Sequence, residues 1–171
     1  LKLGDPMSED TDIGPKMNEV GVKHLEKLVE ESVSEGAKIL CGGKRPSGKQ
    51  FEKGYWYEPT LLVNVKQEMR IVHEELFGPV LPILKFRDYE EVVGYANDSD
   101  FGLAAMVFTN DIRKVMRLSK DLEFGEIYVN RGHGEQHQGF HNGLKLSGTG
   151  GEDGKYGFEQ YLEKKTYYIR Y

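Results

Sequence analysis

The sequence predicts an α/β fold, with a mostly parallel sheet and flanking helices. Three observations carry that reading. Apolar residues recur at helical spacing in three separate segments, short apolar runs rich in β-branched residues lie between them, and Gly, Asn and Asp punctuate the junctions.

Residues 4–15, GDPMSEDTDIGP, are polar and turn-rich and predict an extended lead-in. From Asn18 onward, Val22, Leu25, Leu28, Val29 and Val33 repeat at helical spacing until Gly36 supplies a left-handed stop. AKILCGG, closed by two glycines, predicts a strand. KRPSGKQFEKG predicts a surface turn, and YWYEPTLLVNV an aromatic approach to a second strand over 61–65. The near-continuous apolar run VLPILKF suits a strand covered on both faces, with Pro82 forcing an edge position or a bulge.

In DYEEVVGYANDS, Asp88 is placed to cap a short helix, with Glu91 three residues on. GLAAMVFT predicts a strand, NDIRKVMRLSKDL a helix with Ile112, Val115, Met116 and Leu122 on one stripe, and GEIYVN another strand. The alternation stops after Asn130. Residues 131–157 contain nine glycines and little periodicity, which predicts a long functional loop or one held by other parts of the structure. The last residues, TYYIRY, alternate again. Tyr167, Ile169 and Tyr171 fall on one face, predicting a terminal strand that needs a partner.

Composition narrows the function classes. Lys and Arg total 23 against 28 for Asp and Glu, and a net charge of −5 leaves no basic footprint for nucleic acid. No apolar run is long enough to predict a membrane span. The single cysteine, Cys41, permits no intrachain disulfide and points to a reducing, cytoplasmic setting. LKLGDPMSED has neither an initiator Met nor the apolar core of a signal peptide, and reads as the later part of something longer.

Four features invite a chemical reading. His133, His137 and His141 are spaced four apart, but Gly132, Gly134 and Gly139 argue against the helix that would align them, so no metal site is expected. A polar loop or a pocket-lining contact fits them better. SGTGGEDG matches neither the dinucleotide-binding nor the P-loop glycine pattern and predicts a bend. Cys41, between Leu40 and two glycines, reads as a buried strand-end residue, not a nucleophile. HEELFGPV is the most pointed of the four. Glu74 and Glu75 are either a solvated face or, beside Phe77 and a fixed Gly78-Pro79 turn, a carboxylate and ring presented together. A carboxylate can accept hydrogen bonds from two vicinal hydroxyls, and a ring packs on a planar cofactor or sugar.

Taken together, GDP…IGP, EGAKILCGG, YEPTLL, MRIVHEELFGPV, ANDSDFGLAAMVFT, GEIYVN, KLSGTG and YLEKKT resemble, in order, the C-terminal third of the NAD(P)-dependent aldehyde dehydrogenase family. Residues 129–157 resemble the lactaldehyde and glycolaldehyde dehydrogenase branch, with glyceraldehyde dehydrogenases close by. Phe140, His141, Asn142 and Gly143 stand where most other branches carry Pro-Phe-Gly-Gly.

The resemblance implies the later part of the catalytic domain over 1–158 and, over 159–171, a tail strand that joins a neighbouring subunit of a dimer or tetramer. It implies NAD or NADP as cofactor and a small 2-hydroxyaldehyde as substrate. By position, Glu75 matches the glutamate that holds the nicotinamide ribose hydroxyls and Phe77 its packing neighbour. His141 and Glu135, with Arg131 nearby, match the substrate pocket of the hydroxyaldehyde branch. Cys41 matches a non-catalytic position. The family's nucleophilic cysteine, general-base glutamate, oxyanion asparagine and glycine-bearing cofactor segment belong to sequence before Leu1. No catalytic residue is therefore expected within this chain, which should be inactive alone. The rival expectation is a truncated, non-catalytic oligomerisation or interaction module.

Overall fold

The computed structural model describes residues 1–132, 134 and 136–171, and the chain divides into two compact units, Leu1–Arg87 and Asp88–Tyr171. In the first unit, α1 spans Glu19–Ser34. Asn18 starts it from an extended backbone, its Oδ1 accepting from the Gly21 N–H at 2.9 Å, which satisfies one of the donors left over at a helix N-terminus. Gly36, at φ 107°, ends it in the conformation expected of a glycine stop. The predicted apolar face holds through Val22, Leu25, Leu28 and Val29, all buried. In the last turn it shifts. Val33 is exposed, and Ser32 is buried instead, with its hydroxyl donated to the Leu28 carbonyl at 2.7 Å.

A three-stranded sheet, in the order β1-β2-β3, packs on this helix: β1 Lys38–Cys41, β2 Thr60–Val63 and β3 Val80–Pro82. β1 runs antiparallel to β2 and β3 parallel to it, so the sheet is mixed where a mostly parallel one was expected. The short helix α2, Arg70–His73, lies between β2 and β3 in the chain. Leu62, Tyr57, Met69, Ile71 and Val80 join the α1 residues in one core cluster. Pro82 sits on the edge strand, where its missing N–H breaks no ladder. The expectation that β3 is covered on both faces fails, since Leu81, Ile83 and Phe86 are all exposed. Cys41 is likewise exposed, not buried, on an edge strand whose residues 38 and 40 are exposed as well.

Tyr57 is 2% exposed, and its Oη meets no hydrogen-bond partner among the described residues. Burial is the main reason its phenol is pushed up to about 12. An unpaired hydroxyl in a core costs more than it returns. Tyr57→Phe should therefore raise stability by about 1 kcal/mol, read as a higher denaturant midpoint at unchanged slope. A lower midpoint would mean that the hydroxyl has a partner.

In the second unit, α3 spans Tyr89–Asn97. It starts as expected at Asp88, whose carboxylate accepts from the Glu91 N–H at 2.9 Å. The strands β4, Phe101–Gly102, and β5, Ala104–Val107, follow, then α4, Ile112–Asp121, and β6, Glu126–Val129. β5 and β6 pair in parallel, Ala104 opposite Glu126 through Val107 opposite Val129, with α4 as the crossover. The predicted α4 stripe is only partly realised. Leu118 and Leu122 are buried, whereas Ile112 and Met116 are exposed.

The glycine-rich region is more structured than its composition predicts. It contains β7 His141–Asn142, β8 Leu144–Lys145, β9 Gly151–Glu152 and α5 Gly154–Glu159. β8 pairs antiparallel with β4, and β9 antiparallel with β7. SGTGGEDG is thus the bend that leads through β9 into α5. Of residues 159–171, expected to form a tail strand, Glu159 ends α5, and residues 163–171 carry no regular element and are exposed.

Candidate functional site

In the first unit the site motif is a turn locked by its neighbours. Phe77 adopts the left-handed region at φ 46°, a conformation that a bulky residue holds only when its surroundings demand it. A Cβ on Gly78 would fall 2.5 Å from Leu25 Cδ1, and Leu25 is fully buried in the core. The turn can press that close only because residue 78 has no side chain. Pro79 then gives its carbonyl to the Thr60 N–H at 2.8 Å, joining the turn to β2.

The result is an exposed pair. Phe77 is 81% exposed, with the Lys16 ammonium 5.6 Å from the ring centroid, and Glu75, two residues away, is also exposed. Glu74 differs from its neighbour. It is engaged by Arg70, which also bonds Glu31 at 2.9 Å, and that guanidinium holds the Glu74 carboxyl below its usual range. The two acids are thus separated, Glu74 as a flanking ion-pair partner and Glu75 facing outward.

In the second unit, β6 organises the other candidates. Glu126 and Tyr128 are two residues apart on one strand face. Tyr128 Oη donates to Glu126 Oε2 at 2.8 Å, and His141 Nδ1 lies 3.1 Å from the same oxygen. The Arg131 guanidinium stands 5.6 Å from the Tyr128 ring centroid and donates to the Gly134 carbonyl at 2.5 Å. His141 is therefore drawn to the start of β6, while Arg131 lies just past its end, over the Tyr128 ring. Glu135 and His133 lie outside the described residues. His141 lines an open cleft of about 370 Å³ with Leu103, Ser147, Thr149, Glu152 and Tyr161.

Three side chains that sequence reading passes over hold this region in place. Lys145 spends its three donors on the Asn97 carbonyl at 2.7 Å, the Ser99 carbonyl at 3.0 Å and the Glu123 carboxylate at 2.8 Å. The ammonium thereby caps the carbonyl end of α3 and fixes the turn into β4. Asn97 extends the clamp, its amide donating to the Asp121 carbonyl at 2.7 Å and accepting from the Glu123 N–H at 2.9 Å. At the far end of the parallel pair, Asn130 exchanges two hydrogen bonds of 2.9 Å with the backbone of Thr109. The motifs ANDSDFG and KLSG thus read as structural staples. Lys145→Met should cost about 2–3 kcal/mol, because carbonyls and a carboxylate lose a charged donor together. Thermal unfolding of the full-length protein, or hydrogen exchange over 97–102, reads that loss.

Residues 1–167 match the model of the aldehyde dehydrogenase family, and the chain belongs to that family. It is 61% identical over 171 residues to 3,6-anhydro-α-L-galactose dehydrogenase of Vibrio sp. (strain EJY3), covering all of this chain and 36% of that enzyme. It is 43% identical to lactaldehyde dehydrogenase of Escherichia coli (strain K12), over 99% of this chain and 35% of that protein. A solved structure of 3,6-anhydro-L-galactose dehydrogenase in complex with NAP superposes with a TM-score of 0.94 at 65% identity, over 99% of this chain and 35% of that one. The chain therefore spans about a third of the length of the relatives it matches. The expected lactaldehyde branch is matched only at family level, since identity to the anhydrogalactose enzyme is the higher of the two.

Proposed function

We propose that this chain is the later third of an NAD(P)-dependent aldehyde dehydrogenase that oxidises a small 2-hydroxyaldehyde to its acid. The observation that carries the reading is the end-to-end family match, together with relatives whose named substrates share one chemistry. Lactaldehyde, glyceraldehyde and anhydrogalactose each carry a hydroxyl on the carbon next to the aldehyde. A pocket with polar side chains discriminates such a hydroxyl far better than an apolar pocket does.

In this reading Glu75 accepts from the nicotinamide ribose hydroxyls, and Phe77 packs beside them. Both are exposed and accessible to a ligand. When bound, the cofactor supplies the acceptor for the hydride that leaves the aldehyde carbon. His141 and Arg131, with Glu135, form part of the pocket wall and orient the substrate hydroxyl. Cys41 is not the nucleophile. It sits at the end of β1, its thiol 3.9 Å from the Pro59 carbonyl, and no base among the described residues is hydrogen-bonded to it.

The aromatic tail is proposed to complete a sheet in a second subunit, where its backbone would find the ladder it lacks here. Its side chains support this, since Tyr167, Tyr168 and Ile169 are 73%, 95% and 77% exposed. A reducing, cytoplasmic setting fits the lone thiol.

The test is a panel on the full-length protein, with each hydroxyaldehyde set against propanal and with NAD and NADP in turn. The 2-hydroxyaldehydes should exceed propanal in kcat/KM by roughly 100-fold. A preference for propanal would remove the hydroxyl-binding role of the pocket.

A further inference from the structure

We propose that Glu126 is a positioning residue for substrate specificity: its carboxylate fixes the His141 imidazole through Nδ1, so that the opposite edge of the ring meets the hydroxyl next to the substrate aldehyde. The inference rests on the functional reading above and extends it to a residue one step behind the pocket wall.

The geometry is specific. The Glu126 side chain is only 14% exposed, which a carboxylate tolerates when donors surround it. Two groups turn toward its Oε2, the Tyr128 hydroxyl at 2.8 Å and His141 Nδ1 at 3.1 Å. His141 Nδ1 is itself buried and has no well-aligned hydrogen bond, so Glu126 is the acid at hand for it. The imidazole is nonetheless 28% exposed. Because Nδ1 is buried, that exposure belongs to the rest of the ring, which carries Nε2. A histidine held by a carboxylate on one nitrogen has its tautomer and its ring plane set for whatever the other nitrogen meets.

The backbone is built around this contact. His141 opens β7, and the next residue, Asn142, lies against the residue that precedes Glu126. A Cβ on Gly125 would stand 1.7 Å from the Asn142 carbonyl oxygen. On the other side, β9 pairs with β7 and places Glu152 opposite His141. Tyr128, which shares the carboxylate, is buried, and its ring lies beneath Arg131. One carboxylate thus ties a buried strand residue to His141, and the ring of that strand residue meets Arg131.

The experiment uses the full-length protein and the substitutions Glu126→Gln and His141→Phe, singly and together. Glutamine keeps the size of the side chain but offers an amide where a carboxylate stood. In E126Q, kcat/KM for lactaldehyde should fall about tenfold further than kcat/KM for propanal, with the difference in KM. In the H141F background, E126Q should not change the ratio between the two aldehydes any further. Equal losses for both aldehydes, or a ratio still altered by E126Q when His141 is gone, would overturn the proposal, as would an unchanged ratio.

A second readout needs no turnover. In protein labelled with 15N-histidine, the signal of His141, assigned by its loss in H141F, should report a proton on Nδ1. In Glu126→Leu, which has a similar size but no acceptor, that proton should move to Nε2. Retention of the same tautomer in E126L overturns the positioning role. A protein inactive toward every aldehyde overturns the functional reading and the substrate half of this inference with it, while the tautomer still decides whether Glu126 orients His141.

Discussion

Glu75→Gln in the full-length protein is expected to slow pre-steady-state formation of reduced nicotinamide by roughly 10- to 100-fold. The substitution keeps the shape of the side chain. It replaces two equivalent, charged acceptor oxygens with one neutral one, so two vicinal hydroxyls can no longer each donate to an oxygen of its own. The nicotinamide then loses part of its placement, and a displacement of about 1 Å at the reacting atoms costs on the order of 10²-fold. The effect should be large because the proposed clamp is rigidly mounted. Phe77 is held in the left-handed region, Gly78 is pressed on Leu25, and Pro79 is bonded to Thr60. Stopped-flow measurement of the first turnover reads the chemical step apart from product release. An unchanged burst rate in E75Q would remove the ribose role from this residue.

Gly125→Ala is expected to destabilise the protein by about 3 kcal/mol or more, a larger loss than that from Lys145→Met. The new methyl group would overlap the Asn142 carbonyl oxygen, at 1.7 Å, and that oxygen belongs to backbone, which cannot swing aside as a side-chain tip can. Either β6 or β7 must move, and His141 moves with β7. The proposed activity toward hydroxyaldehydes should therefore fall along with the melting temperature. Gly94 provides the opposite case. It lies inside α3, with no positive φ and open space for at least 4 Å around the point where a methyl group would sit. Gly94→Ala should stabilise the protein by about 0.5–1 kcal/mol through the lower backbone entropy of the unfolded chain. Calorimetry on the two variants tests the pair, and equal shifts would contradict the packing assigned around residue 125.

The contrast between these glycines marks what a sequence can express. Local signals are readable. Asn18 and Asp88 cap their helices, Gly36 stops the first one, and Pro82 sits on an edge strand. The caps and the stop depend on bonds to residues within a few positions in the chain. The features that escape a sequence reading depend on distant partners. Lys145 looks like any exposed lysine until its carbonyl acceptors at Asn97 and Ser99 are brought to it. The two-residue strands β7, β8 and β9 have no periodicity to detect, because each is defined by the segment it pairs with. Parallel and antiparallel pairing in the first sheet cannot be separated for the same reason.

The candidate site divides along the same line. Carboxylate-and-ring chemistry at Glu75 and Phe77 is visible in HEELFGPV, but the choice of ribose as its ligand comes from family resemblance. His141 comes from resemblance as well. Glu126 leaves one faint trace, an acid at the head of an otherwise apolar strand run, with Tyr128 on the same face. Its meaning appears only when β7 folds back over β6 and brings His141 Nδ1 to 3.1 Å. Exposure of Cys41, Ile112 and Met116 runs against expectation because periodicity shows which residues share a face, not whether anything covers it.

The central claim is that this chain supplies a cofactor clamp and part of a substrate pocket to an aldehyde dehydrogenase whose nucleophile is not Cys41. The most direct measurement is the burst of reduced nicotinamide when full-length protein, with Cys41 intact or replaced by serine, is mixed with a 2-hydroxyaldehyde and saturating cofactor. The account predicts a burst of equal size and rate in both proteins. No burst with any 2-hydroxyaldehyde, or a burst that Cys41→Ser abolishes, would contradict it.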